Sequence, residues 1–410
     1  MIKNTLICLC FGLLASCVQE PDATAQEEDR RVTIGQKFTI ASETLGEDRP
    51  YWVYLPVSYD SNSSASQHYP VMYLLDGDRH FPSASGIVQY MSSGLNGGNV
   101  QIPELIVVAI PNTNRTRDLT PSHSTIFSDG EEAGFLQESG GGDAFLKFVR
   151  DELFPKIDSD YRTTPHRTLV GHSFGGLLAL HALLDAPDMF QAYIAIDPSL
   201  WWDDKLLVRQ AEKIGADDDE RTGSVYISLA NNSHIEAGER SLMEEAVREF
   251  GRTLAGAEYS GFRSTLQYFE AEDHVSVPLL SLYYGLLHVF EGYKFSIEDF
   301  IEKPSLAAVT AHYEGVSERL GTDPQPPESR MNNLGYVLLY RTDDVDKAIE
   351  FFEQNVSNYP ASSNVYDSLG EAYMVRGDKM LAIDNYEKSL VLDPDNENAK
   401  RQLETLHGQE

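Results

Sequence analysis

The feature that most constrains the fold is a series of short apolar runs that recur through the first 275 residues. Most of these runs are continuous rather than alternating, which is typical of strands buried on both faces of a parallel sheet. The predicted strands are QKFTIAS (36–42), YWVYLP (51–56), VMYLLDG (71–77), LIVVAI (105–110), RTLVGHS (167–173), AYIAID (192–197), VYISLA (225–230) and TLQYFE (265–270). The first two flank a short polar turn and predict an antiparallel hairpin.

Helical patterns lie between several of these runs. Apolar residues recur at three- and four-residue spacing, as on one face of a helix, most clearly in residues 144–157, 177–186 and 241–254. A hairpin followed by alternating strands and helices predicts a mostly parallel α/β fold. A chain of 410 residues is longer than one compact core usually holds, so a second domain is expected.

The last 80 residues contain two segments that can be superimposed. Gly335 matches Gly370 at an offset of 35, and Ala348 matches Ala382 at an offset of 34. A period near 34 with these residues resembles tetratricopeptide repeats, which are stacked helix pairs. We expect two such repeats and a capping helix in residues 330–410, which pack against the domain before them because two repeats are few for independent stability.

The N-terminus, MIKNTLICLCFGLLASC, has the pattern of an export signal. Its apolar run (residues 6–14) is too short to span a bilayer, and LASC (14–17) resembles a bacterial lipobox, which implies cleavage before Cys17 and lipidation of its thiol. All three cysteines lie in this segment, and cleavage would leave only Cys17. An acyl anchor explains why this single cysteine is present. The alternative is a plain secretory signal. We expect a lipid-anchored envelope protein, periplasmic or at the outer membrane, since Val18 is not the Asp that retains some lipoproteins at the inner membrane.

The charge balance is strongly acidic. Lys and Arg total 32 while Asp and Glu total 64, for a formal net charge of −32. This balance argues against a nucleic-acid partner and against adhesion to anionic lipid by charge. A membrane contact is therefore expected only through the lipid anchor.

A candidate nucleophile lies in GHSFG (171–175), which fits G-x-S-x-G. In the elbow that this motif forms, the serine lies on a sharp turn after a strand and before a helix, and the flanking glycines let the backbone turn. The sequence has the strand and the helix that this elbow requires, because RTLVGHS predicts a strand and the residues after the motif predict a helix. Ser173 is thus the candidate nucleophile. The alternative is a glycine turn that packs a strand against a helix.

A serine hydroxyl needs a general base to attack an ester or amide. His274 follows the last predicted strand and precedes helical residues. This is where hydrolases with a G-x-S-x-G elbow place the general base. His172 adjoins Ser173 in sequence and would point away from it. His181 and His288 lie within apolar helical patterns and are expected to be packed there.

The third member of a triad is an acid that orients the base, with chain order serine, acid, histidine. It often follows the strand before the last, and the loop after VYISLA reads NNSHIEAGERS (231–241). Glu236 is the favoured candidate, with Glu239 as an alternative. Asp197, at the end of AYIAID, is a third, and a Ser–His dyad without a strong acid stays open.

Two backbone N–H groups must stabilise the oxyanion that forms during acyl transfer. One should belong to Phe174, the residue after the nucleophile. The other should come from the loop after the third strand, LLDGDRHF (74–81), where Gly77 permits a tight turn and Asp78 is the candidate donor. The alternative is a simple Asp-Gly turn.

Four further residues are candidates for substrate contact. Trp201 and Trp202 follow the sixth predicted strand and either line an acyl or sugar pocket or pack in the core. Arg115 and Arg117 either meet an anionic substrate group or form salt bridges within this acidic protein. The sequence alone does not choose between these roles.

Several segments, in order, resemble the putative-esterase group of α/β-hydrolases, which includes esterase D-like and enterobactin-type siderophore esterases. The matching segments span roughly residues 34–295: YPVMYLLDGDRHF, RTRDLTPSH, GGGDAFLKFVRDELFPKI, LVGHSFGG, IAIDPSLWW and EDHVSV. The resemblance implies an α/β-hydrolase fold and hydrolysis of carboxylic esters without a metal or organic cofactor. The acid loop is not a clean match to the group.

The expected domain order follows from these patterns. It is a signal peptide (1–16), a flexible tether (17–33), an α/β-hydrolase domain (34–299), a connector (300–329) and the repeat unit (330–410). The favoured function is a serine esterase that forms an acyl-enzyme on a siderophore-type or carbohydrate-linked ester. The alternative is a retired hydrolase that binds a protein or short peptide through its repeats.

Overall fold

The structure is a computed structural model that describes residues 32–60, 67–93, 100–214, 222–232, 237–256, 261–320 and 325–408. The expected signal peptide, Cys17 and most of the tether lie outside the described residues. Gly35–Glu410 form one compact unit. The domain boundaries and the lipid anchor stay predictions.

Among the residues that the structure describes, eight strands of this unit form one sheet, in the order β1-β2-β4-β3-β5-β6-β7-β8. The strands are β1 (Gln36–Ser42), β2 (Glu47–Tyr54), β3 (Tyr69–Leu75), β4 (Ile106–Ile110), β5 (Thr163–His172), β6 (Ala192–Ile196), β7 (Thr222–Ala230) and β8 (Gly261–Phe269). β2 pairs antiparallel with β1 and β4, and the other neighbours pair in parallel. The predicted hairpin and the mostly parallel α/β class are confirmed.

The central strands are buried on both faces, as their continuous apolar runs predict. In β3, Met72 and Leu74 face one apolar cluster while Tyr73 and Leu75 face the other. All seven residues of β3 are buried. A strand of this kind requires helices on both faces of the sheet.

Helices supply both covering layers. The helices that flank the sheet are α1 (Gly77–Ser92), α2 (Arg115–Asp118), α3 (Gly142–Phe148), α4 (Phe154–Asp160), α5 (Phe174–Asp185), α6 (Trp202–Ile214), α7 (Ala237–Gly256) and α8 (Val277–Val289). A π-helical turn at Val149–Leu153 joins α3 to α4. Buried residues of α1 and α8 pack on one face, and those of α3 to α7 pack on the other.

In the described part of the chain, seven further helices follow the sheet: α9 (Ile297–Glu302), α10 (Leu306–Leu320), α11 (Glu328–Arg341), α12 (Val345–Asn358), α13 (Ser363–Arg376), α14 (Lys379–Leu392) and α15 (Glu397–His407). The apolar cluster on the α8 face of the sheet continues through Tyr293 and Tyr313 into α11, so the C-terminal helices share a core with the sheet domain. Within the described ranges, no helix is both long and apolar enough to cross a bilayer.

Candidate active site

The carboxyl ends of the parallel strands collect the candidate residues at one edge of the sheet, where open α/β sheets bind ligands. Ser173 follows β5, Asp197 follows β6 and His274 follows β8. Because β5 to β8 are consecutive in the sheet, these strand ends lie side by side.

Ser173 lies on a strained turn between β5 and α5. Its φ of 62° and ψ of −116° are values that a residue with a side chain rarely adopts. The flanking glycines make the turn sterically possible, since a Cβ at Gly171 would lie 2.2 Å from the carbonyl carbon of Gly175. The G-x-S-x-G spacing thus forms a tight strand-to-helix elbow, with the serine at its tip.

The hydroxyl of Ser173 contacts a second serine. Its Oγ lies 3.3 Å from Oγ of Ser199, whose own N–H donates to the carbonyl oxygen of Ser173. Among the described residues, Ser199 rather than His274 is the side-chain partner of this hydroxyl. Hydrogen bonds between nucleophile and base are often long without substrate and tighten in the reacting complex.

His274 is held by a buried carboxylate. Its Nδ1 lies 2.6 Å from Oδ2 of Asp197, which is 1% exposed. Asp197 also accepts hydrogen bonds from the Ala230 N–H at 2.9 Å and from Nδ2 of Asn232 at 3.1 Å. Burial raises the pKa of this carboxyl, but hydrogen bonding to His274 and the attraction of its imidazolium outweigh burial, so the pKa lies below its ordinary value.

The three candidate acids therefore differ in what the structure describes. Glu236 lies outside the described residues, and for Glu239 in α7 the backbone is described but the side chain is not. Asp197, the third candidate, contacts the imidazole directly. The loop after β7 contributes Asn232, which braces Asp197 and which the sequence analysis did not single out.

The predicted oxyanion donors begin two helices at the same edge. Phe174 is the first residue of α5, and Gly77 and Asp78 are the first two of α1. N–H groups in a first helical turn have no partner within the helix, so they are available to an anion. Gly77 packs against β4 so closely that a Cβ there would lie 2.8 Å from the Ile110 nitrogen.

Asp76, immediately before α1, forms an ion pair with Arg115. Nε of Arg115 lies 2.6 Å from Oδ1 of Asp76, and Nη2 lies 2.9 Å from Oδ2. Nδ2 of Asn112 adds a third hydrogen bond at 2.7 Å. Burial raises the pKa of Asp76, but hydrogen bonding and charge attraction from Arg115 outweigh it, so the pKa is lowered.

The remaining candidates for substrate contact lie in different surroundings. Trp202 is fully buried, and its Nε1 donates to Oγ of Ser122 at 3.0 Å, so its side chain belongs to the core. Trp201 is 9% exposed and packs on Phe174 with ring centroids 6.1 Å apart. Arg117 pairs with Glu47 and Asp118 at 2.6 and 2.7 Å, which is the salt-bridge alternative for this residue.

Three imidazoles form a row beside the elbow. His172 lies between His80 and His274, with ring centroids 5.9 and 4.4 Å away. Burial, with repulsion from the imidazolium forms of His274 and His80, lowers the pKa of His172 to about 3. His172 is therefore neutral at physiological pH. Across the described ranges, no group of three or more His, Cys, Asp or Glu side chains is placed to hold a metal ion.

Comparisons with known proteins find esterases and a hydrolase that are similar to this chain. The family model described as "Putative esterase" matches residues 42–240. The ferri-bacillibactin esterase BesA of Bacillus subtilis is 31% identical over 271 residues, which are 64% of this chain and 92% of that protein. The siderophore triacetylfusarinine C esterase of Aspergillus fumigatus is 26% identical over 61% of this chain and 93% of its own length.

A solved structure matches more of the chain. The IroE-like serine hydrolase of Shewanella oneidensis is 32% identical, with a TM-score of 0.68. The match covers 78% of this chain and 98% of that one. The match therefore includes nearly the whole of that solved structure.

Proposed function

The chain belongs to the Putative esterase family of α/β-hydrolases and is an esterase, and from this premise we propose that it is a serine esterase acting on siderophore-type esters. The observation that carries the serine mechanism is the strained elbow of Ser173 beside the buried Asp197–His274 pair. The ferri-bacillibactin and siderophore triacetylfusarinine C esterases among its relatives support the substrate class. Carbohydrate-linked esters are the alternative substrates.

In the proposed reaction, each residue has one role. His274 Nε2 takes the proton of the Ser173 hydroxyl as its oxygen attacks the ester carbonyl. Asp197 accepts the hydrogen bond from Nδ1–H, which fixes the tautomer that leaves Nε2 free to accept and which stabilises the imidazolium. The N–H groups of Phe174 and Asp78 donate to the oxyanion.

The two halves of the reaction then use the same groups. When the tetrahedral intermediate collapses, His274 gives its proton to the departing alcohol and an acyl-Ser173 remains. A water that His274 deprotonates attacks this acyl group and releases the carboxylic acid. Ser173 must turn from Ser199 towards His274 for the first step, which is a rotation about a single side-chain torsion.

We also propose that α11 to α14 are two tetratricopeptide-like repeats, with α15 as the capping helix. The support is that these four helices have 14 residues each. The matched glycines also have matched surroundings, because Gly335 faces the ring of Phe352 and Gly370 faces the ring of Tyr386.

The proposal is tested by hydrolysis of short-chain p-nitrophenyl esters by the wild-type protein, Ser173→Ala and His274→Ala. We expect wild-type turnover, and a loss of about 10⁴-fold or more in kcat for each variant, because nucleophile and base act as one unit. A fluorophosphonate should add its phosphonyl group to Ser173, as mass spectrometry of the peptide would show. A panel of catecholate siderophore esters and of acetyl and feruloyl polysaccharide esters then compares the two substrate classes by kcat/KM.

Either half of the proposal can fail separately. If the wild-type protein hydrolyses no better than Ser173→Ala and does not react with the phosphonate, the serine mechanism is wrong and a binding role at the repeats becomes the better reading. If it hydrolyses p-nitrophenyl esters but prefers polysaccharide esters over siderophore esters, the substrate class is wrong while the mechanism stands.

A further inference from the structure

The two proposed oxyanion donors belong to separate loops, so contacts between these loops must fix the relative position of the two N–H groups. Phe174 follows β5, whereas Gly77 and Asp78 follow β3. Two N–H groups stabilise one oxygen only when both lie about 2.7–3.1 Å from it. A shift of either loop by a fraction of an ångström would therefore weaken the site.

Asp76 is the residue that joins β3 to the Gly77–Asp78 turn. It has a φ of 53°, a left-handed conformation that is uncommon for a residue with a side chain. Its carboxylate is 1% exposed and accepts three hydrogen bonds, two from Arg115 and one from Asn112. The turn that carries the predicted donors thus begins at a fully bonded, buried anion.

The same ion pair also touches the nucleophile elbow on both sides of Ser173. Nη2 of Arg115 lies 3.2 Å from the carbonyl oxygen of His172, and its guanidinium carbon lies 5.3 Å from the ring centroid of Phe174. Oδ2 of Asp76 lies so near the elbow that a Cβ at Gly175 would be 3.4 Å from it. One guanidinium therefore connects the β3 turn to the elbow.

The chemistry of the pair suits positioning better than stabilisation. A buried ion pair gains little net stability, because removing two charges from water offsets their attraction. What a bidentate Arg–carboxylate pair adds is a fixed, planar geometry. The third contact, to the His172 carbonyl, needs the forked shape of a guanidinium, which a lysine ammonium does not have.

We propose that the Asp76–Arg115 ion pair is a positioning pair that sets the separation of the two oxyanion donors. The inference rests on the serine esterase mechanism proposed above. Because the oxyanion exists only in the transition state and the intermediates, loss of the pair should lower kcat and leave KM nearly unchanged.

The test compares Arg115→Ala and Arg115→Lys with Arg167→Ala in the full-length protein, using p-nitrophenyl acetate. Arg167 is the matched control, since it lies on β5 six residues before Ser173 and pairs with Asp158 at 2.6 Å. We expect Arg115→Ala to lose about 10- to 10³-fold in kcat, in the range of a lost oxyanion donor. KM should change less than about threefold, and Arg167→Ala should keep wild-type kcat.

Two further readouts separate positioning from folding. Arg115→Lys keeps the positive charge but not the forked guanidinium. We therefore expect its log kcat to lie closer to that of Arg115→Ala than to that of wild type. Millimolar guanidinium should restore part of the kcat of Arg115→Ala by entering the space left beside Asp76, and should leave Arg167→Ala unchanged. Thermal unfolding measured on the same samples reports their stability.

The inference is overturned if folded Arg115→Ala keeps a kcat within threefold of wild type, or if its KM rises while kcat stays constant. It is also overturned if Arg115→Ala and Arg167→Ala lose activity and stability in parallel. These results leave the serine mechanism intact, because wild-type turnover and phosphonylation of Ser173 are measured in the same experiment. An inactive wild-type protein that does not react with the phosphonate would overturn both.

Discussion

The carboxyl edge of the sheet and the C-terminal helices differ in how their backbones are used. At the edge, Asp76, Ser173 and Asp197 have positive φ angles of 53°, 62° and 41°. Within α11 to α14, all of which lie in the described part of the chain, every residue has a negative φ, and positive values occur in the turns between them, at Asp343 (54°) and Gly377 (91°). Strained conformations of this kind persist only where the surroundings hold them in place, and they concentrate at functional sites.

Their buried groups differ in the same way. The edge buries the carboxylates of Asp76 and Asp197, each 1% exposed and each bonded to residues of other loops. The helices pack glycine against an aromatic ring, as Gly335 does against Phe352, and the buried guanidinium of Arg330 in α11 donates to the backbone carbonyl oxygen of Phe295. The difference indicates that the carboxyl edge of the sheet serves the reaction and that the C-terminal helices serve stability. Substitutions at the edge should therefore change activity, and substitutions in the helices should change the free energy of unfolding.

The largest effect expected in this comparison is at Asp197. Asp197→Asn should lower kcat by about 10²–10⁴-fold while the protein stays folded. An asparagine amide can donate to Nδ1 of His274, and this favours the tautomer whose protonated Nε2 cannot take the proton of Ser173. Steady-state kinetics with p-nitrophenyl acetate, beside a urea unfolding curve, measure both quantities.

Glu236→Gln and Glu239→Gln are the matched controls for this prediction, since each neutralises one of the other two candidate acids. Both should keep kcat within about threefold of wild type. If Glu236→Gln loses activity and Asp197→Asn does not, the acid is Glu236, the candidate that follows the strand before the last in the sequence. Asp197 would then be a structural carboxylate.

The next largest effect should appear in the helices and change stability alone. Gly335→Ala would place a Cβ 2.6 Å from Cε1 of Phe352, whose side chain is fully buried and has little room to move. We expect overpacking to cost about 1–3 kcal/mol, partly offset by the better helix propensity of alanine. Urea unfolding measures the loss, and kcat/KM of the folded fraction should equal that of wild type.

Gly370→Ala tests the same argument at the equivalent position of the second predicted repeat. There the added Cβ would be 3.2 Å from the ring of Tyr386, so a small shift relieves the contact. The gain in helix propensity is about 1 kcal/mol, and we expect a stability close to wild type. Equal losses at both glycines, or a drop in kcat for either, would contradict the separation of the two regions.

The parts of this structure that the sequence predicts are those with a local cause. Continuous apolar runs predict strands such as β3, β4 and β6, whose residues are all buried, because burial on both faces removes any need for polar alternation. The elbow is predictable because a Cβ at Gly171 would collide with the backbone of Gly175, only four residues along the chain. The hairpin, the parallel strands and the flanking helices all follow from such short-range patterns.

The parts of the structure that the sequence does not predict depend on which strand ends lie next to each other in the sheet. The chain order of a triad is compatible with an acid after β6 or after β7, and these strands are neighbours in the sheet, so either loop can reach the imidazole. Asp197 contacts His274 only because β8 ends nearby, which no local pattern encodes. Arg115 and Arg117 are likewise equivalent in sequence, and only the fold pairs one with Asp76 and the other with Glu47.

The smallest predicted effect links the edge of the sheet to pH. Burial beside His80 and His274 lowers the pKa of His172 to about 3, from an ordinary value near 6.5. Between these values the unfolded chain binds a proton that the folded protein does not, so His172 costs stability as the pH falls below 6.5 and costs nothing above it. The slope is at most about 1.4 kcal/mol per pH unit for one histidine.

His172→Gln should remove this pH dependence. Urea unfolding of both proteins at pH 7, 6 and 5 should therefore show that the stability of the wild type falls relative to that of the variant as the pH decreases. A difference in stability that stays constant over this range would mean that His172 is protonated in the folded state, and the edge would then tolerate a third charge beside its two buried carboxylates.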